Sequence, residues 1–242
     1  VVRSDTFMGI EVFSPPLEEQ KLISRYLDKK TSQIDSLVEK FQKKIELLKE
    51  QRNSLINQCV TKGLDPNVEM KDSGVEWIGE IPKHWTVTKL GFLGQFSNGV
   101  SKGSEFFGNG SPFINYSDVY KNDVIPKPSG LFRSSEKDWK TYSVERGDIF
   151  FTRTSETIDD IGVSSVCMET IDHCCFSGFL VKFRPNDDTL NSKYSRYYFR
   201  SSIPLMHYTK EMNLVTRASL SQGTLKNTPI LIPPPIEQIA IT

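Results

Sequence analysis

The chain has 242 residues, 37% hydrophobic, 11% aromatic and 25% charged, which is enough apolar material for one globular core plus a smaller element. Thirty Lys and Arg balance thirty Asp and Glu, so bulk positive charge cannot hold nucleic acid, and any DNA contact must be local or shared with a partner. No apolar run approaches the roughly 18 residues of a membrane span, and residues 1–13 lack the features of a secretory signal; the expected setting is cytoplasmic, with no membrane partner.

The first feature in chain order is a repeat. Pro15-Pro16-Leu17-Glu18-Glu19-Gln20-Lys21-Leu22-Ile23 returns without gaps as Pro233-Pro234-Pro235-Ile236-Glu237-Gln238-Ile239-Ala240-Ile241. The apolar residues before each copy keep the same spacing, Phe7 matching Leu225 and Val12 matching Ile230. Matched flanks point to duplication, each copy being a hinge from a globular unit into a helix. Residues 1–16 are therefore read as the tail of a preceding domain, and 233–242 as the start of a second spacer helix.

From Leu17 to Val60 there is neither Gly nor Pro, and apolar residues fall at Ile34, Val38, Phe41, Ile45, Leu48, Leu55 and Cys59, with Arg52 filling one seam position. Alternating steps of four and three are a heptad pattern. Pro15 and Pro16 stop helix upstream, Glu18 and Glu19 suit a first turn, and Gly63 with Pro66 ends it. The pattern predicts a helix over 17–62 that cannot bury its seam alone and must pair with another helix through Ile34, Val38, Phe41, Ile45, Leu48 and Leu55. A second copy of the chain would cover that seam in a two-fold homodimer.

Residues 63–73 are polar and read as a linker. The domain expected over 74–232 opens with Trp77-Ile78-Gly79-Glu80-Ile81-Pro82-Lys83-His84-Trp85. Short apolar runs at 112–114, 148–151, 163–168 and 176–183 follow, with turn residues between them, and predict strands of a mixed or antiparallel sheet. Asn191 or Ser192 is placed to cap a helix through Lys193 to about Ser201. The fold class is α+β: a globular mixed-sheet domain with a long coiled-coil spacer helix.

No catalytic constellation emerges. Gly94 to Gly99 has phosphate-loop spacing, but Val100 and Ser101 stand where Lys and Ser or Thr belong. Ser14-Pro15-Pro16-Leu17 lacks the amide and the stacking aromatic of an amino-methyltransferase site. Glu19-Gln20-Lys21 and Asp28-Lys29-Lys30 have nuclease-like spacing, yet read as solvated helix charges. Cys59, Cys167, Cys174 and Cys175 include no Cys-x-x-Cys pair; beside His173 they read as small strand hydrophobes, so no metal or other cofactor is expected.

Between 182 and 226, eight basic residues (Lys182, Arg184, Lys193, Arg196, Arg200, Lys210, Arg217 and Lys226) outnumber three acidic ones, Asp187, Asp188 and Glu211. Tyr194, Tyr197, Tyr198, Phe199 and Tyr208 are interleaved. Two readings stand: a surface that tracks a phosphate backbone, or an amphipathic helix with tyrosines packed inward and cations facing water.

The hinge Pro15-Pro16-Leu17-Glu18-Glu19-Gln20-Lys21 before a long helix, followed by Gly74-Val75-Glu76 and the run from Trp77 to Trp85, resembles the specificity subunits of Type I restriction-modification systems. Arg146-Gly147-Asp148-Ile149-Phe150-Phe151-Thr152-Arg153 and the exit from Leu225 to Gln238 extend the resemblance over essentially the whole chain. It implies a non-catalytic subunit in which 74–232 is a target-recognition domain reading one half of a split site in double-stranded DNA. It also implies spacers that dock methyltransferase (modification) subunits and, in the full complex, motor-nuclease (restriction) subunits. The candidate base readers are polar loop tips: Ser97, Asn98, Ser101 and Lys102; Asn115, Tyr116 and Ser117; Arg153, Thr154 and Ser155; Arg217, Ser219, Ser221 and Gln222. Arg153 and Arg217 are the strongest, since Arg can meet guanine with two hydrogen bonds. Lys193, Arg196 and Arg200 suit phosphates. An enzyme of unrecognised type and a coiled-coil adaptor without DNA specificity are the alternatives.

Overall fold

A computed structural model describes residues 9, 13–155, 160–211 and 218–242. Phe7 and Val12, which flank the first copy of the repeat, and Arg217 lie outside the described residues. The chain divides into two compact units, 1–52 and 53–242.

The first unit is helical. Helix α1, Leu17–Lys62, is 46 residues long, about 70 Å at 1.5 Å per residue. Glu18 and Glu19 lie in its first turn, where the exposed amides of a helix start favour negative charge. Ile34, Val38, Phe41, Ile45 and Leu48 are between 48% and 62% exposed, and Leu55, just beyond this unit on the same helix, is 59% exposed. The predicted seam therefore faces solvent in the single chain.

In the second unit the last turns of α1 join the core: Val60 is fully buried and Ile56 packs against the main apolar cluster with Trp85, Tyr194 and Leu231. The helix ends where Gly63 N–H donates to Cys59 O at 3.1 Å, with Gly63 at φ 75°. That left-handed conformation favours glycine, and a Cβ there would also press on the end of the Glu237 side chain, 2.7 Å from Oε1.

The linker expected over 63–73 is partly strand: β1 (Met70–Asp72) pairs antiparallel with β2 (Glu80–Pro82). Ile81 and Pro82 of β2 are buried, with Ile81 fully inside the core. β3 (Thr86–Lys89) then awaits β13 (Pro229–Ile232), pairing Thr86 with Ile232 and Lys89 with Pro229, so the beginning and end of the domain are adjacent.

The central sheet is antiparallel, in the order β4 (Gly94–Asn98), β11 (Leu180–Pro185), β7 (Ile149–Thr152), β9 (Ser164–Val166). Residues of β7 and β9 are buried throughout, as continuous apolar or small sequences require when both faces are covered. A second sheet sets β5 (Phe107–Ile114) between β6 (Gly130–Phe132) and β10 (Cys175–Phe176), with β10 parallel to β5. The expected strand over 176–183 is thus two strands in different sheets. Leu180 N–H donates to Ser177 O at 2.9 Å across a tight turn, and Gly178 lets it pass Val100 O, which a Cβ would approach to 2.8 Å.

Helices α2 (Tyr116–Lys121) and α3 (Glu136–Thr141) begin at Asn115 and Ser135, each with an Asp three positions on that accepts from the capping residue's N–H. Helix α4 (Ser192–Tyr198) is capped by Asn191, as expected, and α5 (Ser202–Glu211) follows. Tyr194, Tyr198 and Tyr208 are buried; Tyr194 and Tyr198 hydroxyls donate to Leu231 O and Pro229 O on β13. Of the two readings of this basic, aromatic segment, the structure shows inward-packed tyrosines. Helix α6 (Gln222–Asn227) leads into β13, and α7 (Pro235–Ala240) starts at the second copy of the repeat.

Candidate nucleic-acid interface

The Arg-Gly-Asp-Ile motif builds the floor of the central sheet. Gly147 adopts φ 92°, turning the chain so that the fully buried Asp148 reaches Arg184 on β11, with contacts of 2.6 Å to Nε and 2.7 Å to Nη2. Glu145 meets Arg184 Nη1 at 2.6 Å, while buried Lys182 donates to Ser143 O at 2.6 Å. The hydrogen bonds from Arg184 to Asp148 hold the guanidinium above its usual pKa against the opposing effect of burial. Burial pushes the Lys182 ammonium down despite the attraction of Asp148. These two cations of the basic segment are structural, and they fix β7 against β11.

At the other end of those strands the polar tips converge. Val100 O accepts from Gly178 N–H at 2.8 Å, Phe179 O from Arg153 N–H at 3.0 Å, and Ile114 O from Ser177 N–H at 3.0 Å. Arg153 O accepts from Leu220 N–H at 2.7 Å. β8 (Thr154–Ser155) pairs with β12 (Ala218–Ser219). Tyr116 hydroxyl donates to Thr154 O at 3.1 Å, and Gln222 Nε2 to Asn98 Oδ1 at 3.1 Å. Four segments widely separated in sequence, 97–101, 115–117, 153–155 and 219–222, thus meet around the turn at 177–180.

Within this group Asn98, Ser101, Ser117, Arg153, Ser219 and Ser221 are exposed. The amides of Asn98 and Gln222 hold each other, leaving further donors and acceptors of both groups for a ligand. Asn115, Ser221 and Tyr116 have local duties: Asn115 and Ser221 cap α2 and α6, and Tyr116 stacks on Tyr120 with ring centroids 5.8 Å apart. Ser97 Oγ is buried, without a hydrogen-bond partner among the described residues.

Other predicted contacts have structural partners. Lys102 Nζ lies 2.9 Å from both carboxylate oxygens of Asp138 and over the rings of Phe106 and Phe132 at 5.2 and 5.3 Å. Burial alone would raise the Asp138 pKa, but hydrogen bonds from Lys102 and Ser135 outweigh it and hold the group at about 2. Arg196 pairs with Asp123 at 2.8 Å, and Arg200 donates to the carbonyls of Ser164 (2.7 Å), Val119 (3.0 Å) and Asn122. Lys193 is exposed at the start of α4.

Phe179 falls inside the apolar run 176–183 that predicts a strand, yet it is 65% exposed in the turn around which these loops converge. The Ser177-Gly178 pair before it, a turn-forming dipeptide inside an apolar run, was the available signal.

Cys167, Cys174 and Cys175 are buried, and burial raises their thiol pKa values to about 11, 12 and 11. They pack as apolar groups. Among the described residues, no group of three His, Cys, Asp or Glu side chains is arranged to hold a metal ion, and no helix is long and apolar enough to cross a membrane.

An α+β domain of this kind, with loops gathered at one end of its sheet and a long helix in the same chain, defines a class. The family model for the Type I restriction modification DNA specificity domain matches residues 82–242, and the chain belongs to that family. It is 26% identical to the Type I restriction enzyme EcoKI specificity subunit of Escherichia coli K12, over 99% of this chain and 51% of that protein. It is 27% identical to the putative MjaX specificity subunit of Methanocaldococcus jannaschii, over 94% of this chain and 49% of that one. The chain spans about half the length of these curated relatives. In fold it is similar to the HsdS subunit from Thermoanaerobacter tengcongensis, with TM-score 0.53 and 24% identity, over 94% of this chain and 49% of that structure. It is also similar to a chain from a structural study of type I restriction-modification assembly, with TM-score 0.60 and 21% identity, over 94% and 50%.

Proposed function

We propose that this chain is a non-catalytic, sequence-reading component of a cytoplasmic Type I restriction-modification complex, its domain over 74–232 recognising one half of a bipartite site in double-stranded DNA. The observation that carries the reading is the convergence of four polar segments around the turn at 177–180, in a chain of the DNA specificity family. Asn98, Ser101, Ser117, Arg153, Ser219 and Gln222 meet base edges, together with Arg217, and Lys193 takes a phosphate. Lys102, Arg196 and Arg200 hold the frame.

Spacer α1 docks methyltransferase subunits, which motor-nuclease subunits join in the full complex. Its exposed seam, Ile34 to Leu55, pairs with a second helix of the same kind, as in a homodimer, and thereby sets the distance between two readers. Near-neutral net charge suits this division, because partners that wrap the duplex supply phosphate contacts while this chain supplies discrimination.

The test is to combine the chain with its cognate methyltransferase subunits and sequence the modified bases on random duplex DNA. A fixed, interrupted motif is expected. Methylation without sequence context would leave only an adaptor, and methylation by this chain alone would make it an enzyme. Arg153→Ala should relax one position of the motif by about tenfold or more, the usual discrimination from a two-pronged contact to guanine.

A further inference from the structure

We propose that Phe179 is a specificity-determining residue that presses its ring against the C5-methyl group of a thymine in the half-site. The proposal rests on the DNA-reading function above and names one contact within it.

The ring's setting is unlike that of its neighbours. Phe176, Leu180, Val181 and Phe183 are buried to 1% exposure or less, whereas Phe179 is 65% exposed. Its backbone is nevertheless held from three sides. Leu180 N–H closes the turn onto Ser177 O at 2.9 Å, Phe179 N–H donates to Ser177 Oγ at 3.3 Å, and Phe179 O accepts from Arg153 N–H at 3.0 Å. Gly178 N–H is tied to Val100 O at 2.8 Å, in a passage too close for any side chain. A fixed frame therefore presents an aromatic ring to solvent, and binding through it requires little further ordering.

The frame also chooses the surroundings. Arg153 is bonded directly to Phe179, Asn98 pairs with Val181 across the sheet, and Gln222 holds Asn98. Arg, Asn and Gln suit the polar edges of guanine and adenine, and the apolar group on a base edge in the major groove is the thymine methyl. A phenyl ring among such side chains supplies the complement that hydrogen bonds cannot.

The experiment uses the complex with cognate methyltransferase subunits and compares the methylated motifs of wild type, Phe179→Ala and Phe179→Leu. Phe179→Ala is expected to lower the preference for thymine at one position by about tenfold, the scale of losing a single apolar contact, while other positions stay fixed. Phe179→Leu should retain most of it, and deoxyuridine at that position should reproduce the loss with wild type. Because the ring is exposed, thermal unfolding of Phe179→Ala should match wild type. An unchanged motif, a loss spread uniformly over all positions, or brightening of an adjacent 2-aminopurine, which marks a ring wedged into the base stack, would each overturn the proposal alone. A wild-type complex without a fixed motif would overturn the DNA-reading function and this contact with it.

Discussion

Lys102, a candidate base reader by sequence, is paired with Asp138 in the fold. Asp138 is buried and its folded-state pKa of about 2 lies below the unfolded value of about 3.9. Its contribution is therefore complete above about pH 4 and lost as pH falls towards 2. Lys102→Ala should cost about 1–2 kcal/mol in urea unfolding at pH 7, a figure reduced by the partial exposure of the lysine. The penalty should shrink near pH 2, and the methylated motif should be unchanged. Arg200→Ala strips a donor from carbonyls on two other segments and should likewise lower the unfolding midpoint without altering the motif. Residue types and local charge were legible in the sequence. The partners Asp138 and Asp123 were not, because they lie far along the chain and only tertiary packing delivers them.

Among the elements, α1 and the Asn191-capped α4 were legible because their signals are local: a sustained heptad, a capping residue, glycine and proline stops. The two strands within 176–183 were not, since both are apolar and one turn reassigns them to different sheets; periodicity cannot see that change. The tyrosines of α4 and α5 illustrate the same limit, as their rings were equally compatible with DNA and with the core until β13 supplied acceptors for two hydroxyls. The seam of α1 carries a direct prediction. Ile45→Asp places a charge where helix pairing would bury it, so light scattering at micromolar concentration should show a dimer for wild type and a monomer for the variant. Circular dichroism of the globular domain's aromatic signals should be preserved.

For the molecule as a whole, the proposed spacing role makes helix length part of the recognised sequence. Inserting seven residues near Lys43 keeps the heptad register and adds about 10.5 Å of helix. The gap in the methylated motif should then widen by about three base pairs, at 3.4 Å each, with both half-sites unchanged. A gap that ignores the insertion would remove α1 from the measurement of distance.

The junction between the domain and α7 carries the repeated hinge. Glu237, from the repeated hinge, accepts from Trp85 Nε1 at 3.0 Å, lies 2.8 Å from His84 Nε2 and crowds Gly63. Gln238 beside it is buried, bonded to Asn191, Thr189 and Pro233. Glu19-Gln20 repeats that pair at the other hinge, and on the proposed reading of the repeat as a duplication the segment between the two hinges is an interchangeable cassette. A foreign reading domain bearing a tryptophan placed to donate to the hinge carboxylate, as Trp85 does to Glu237, could be spliced in there, changing which half-site is addressed without retooling the scaffold that carries it.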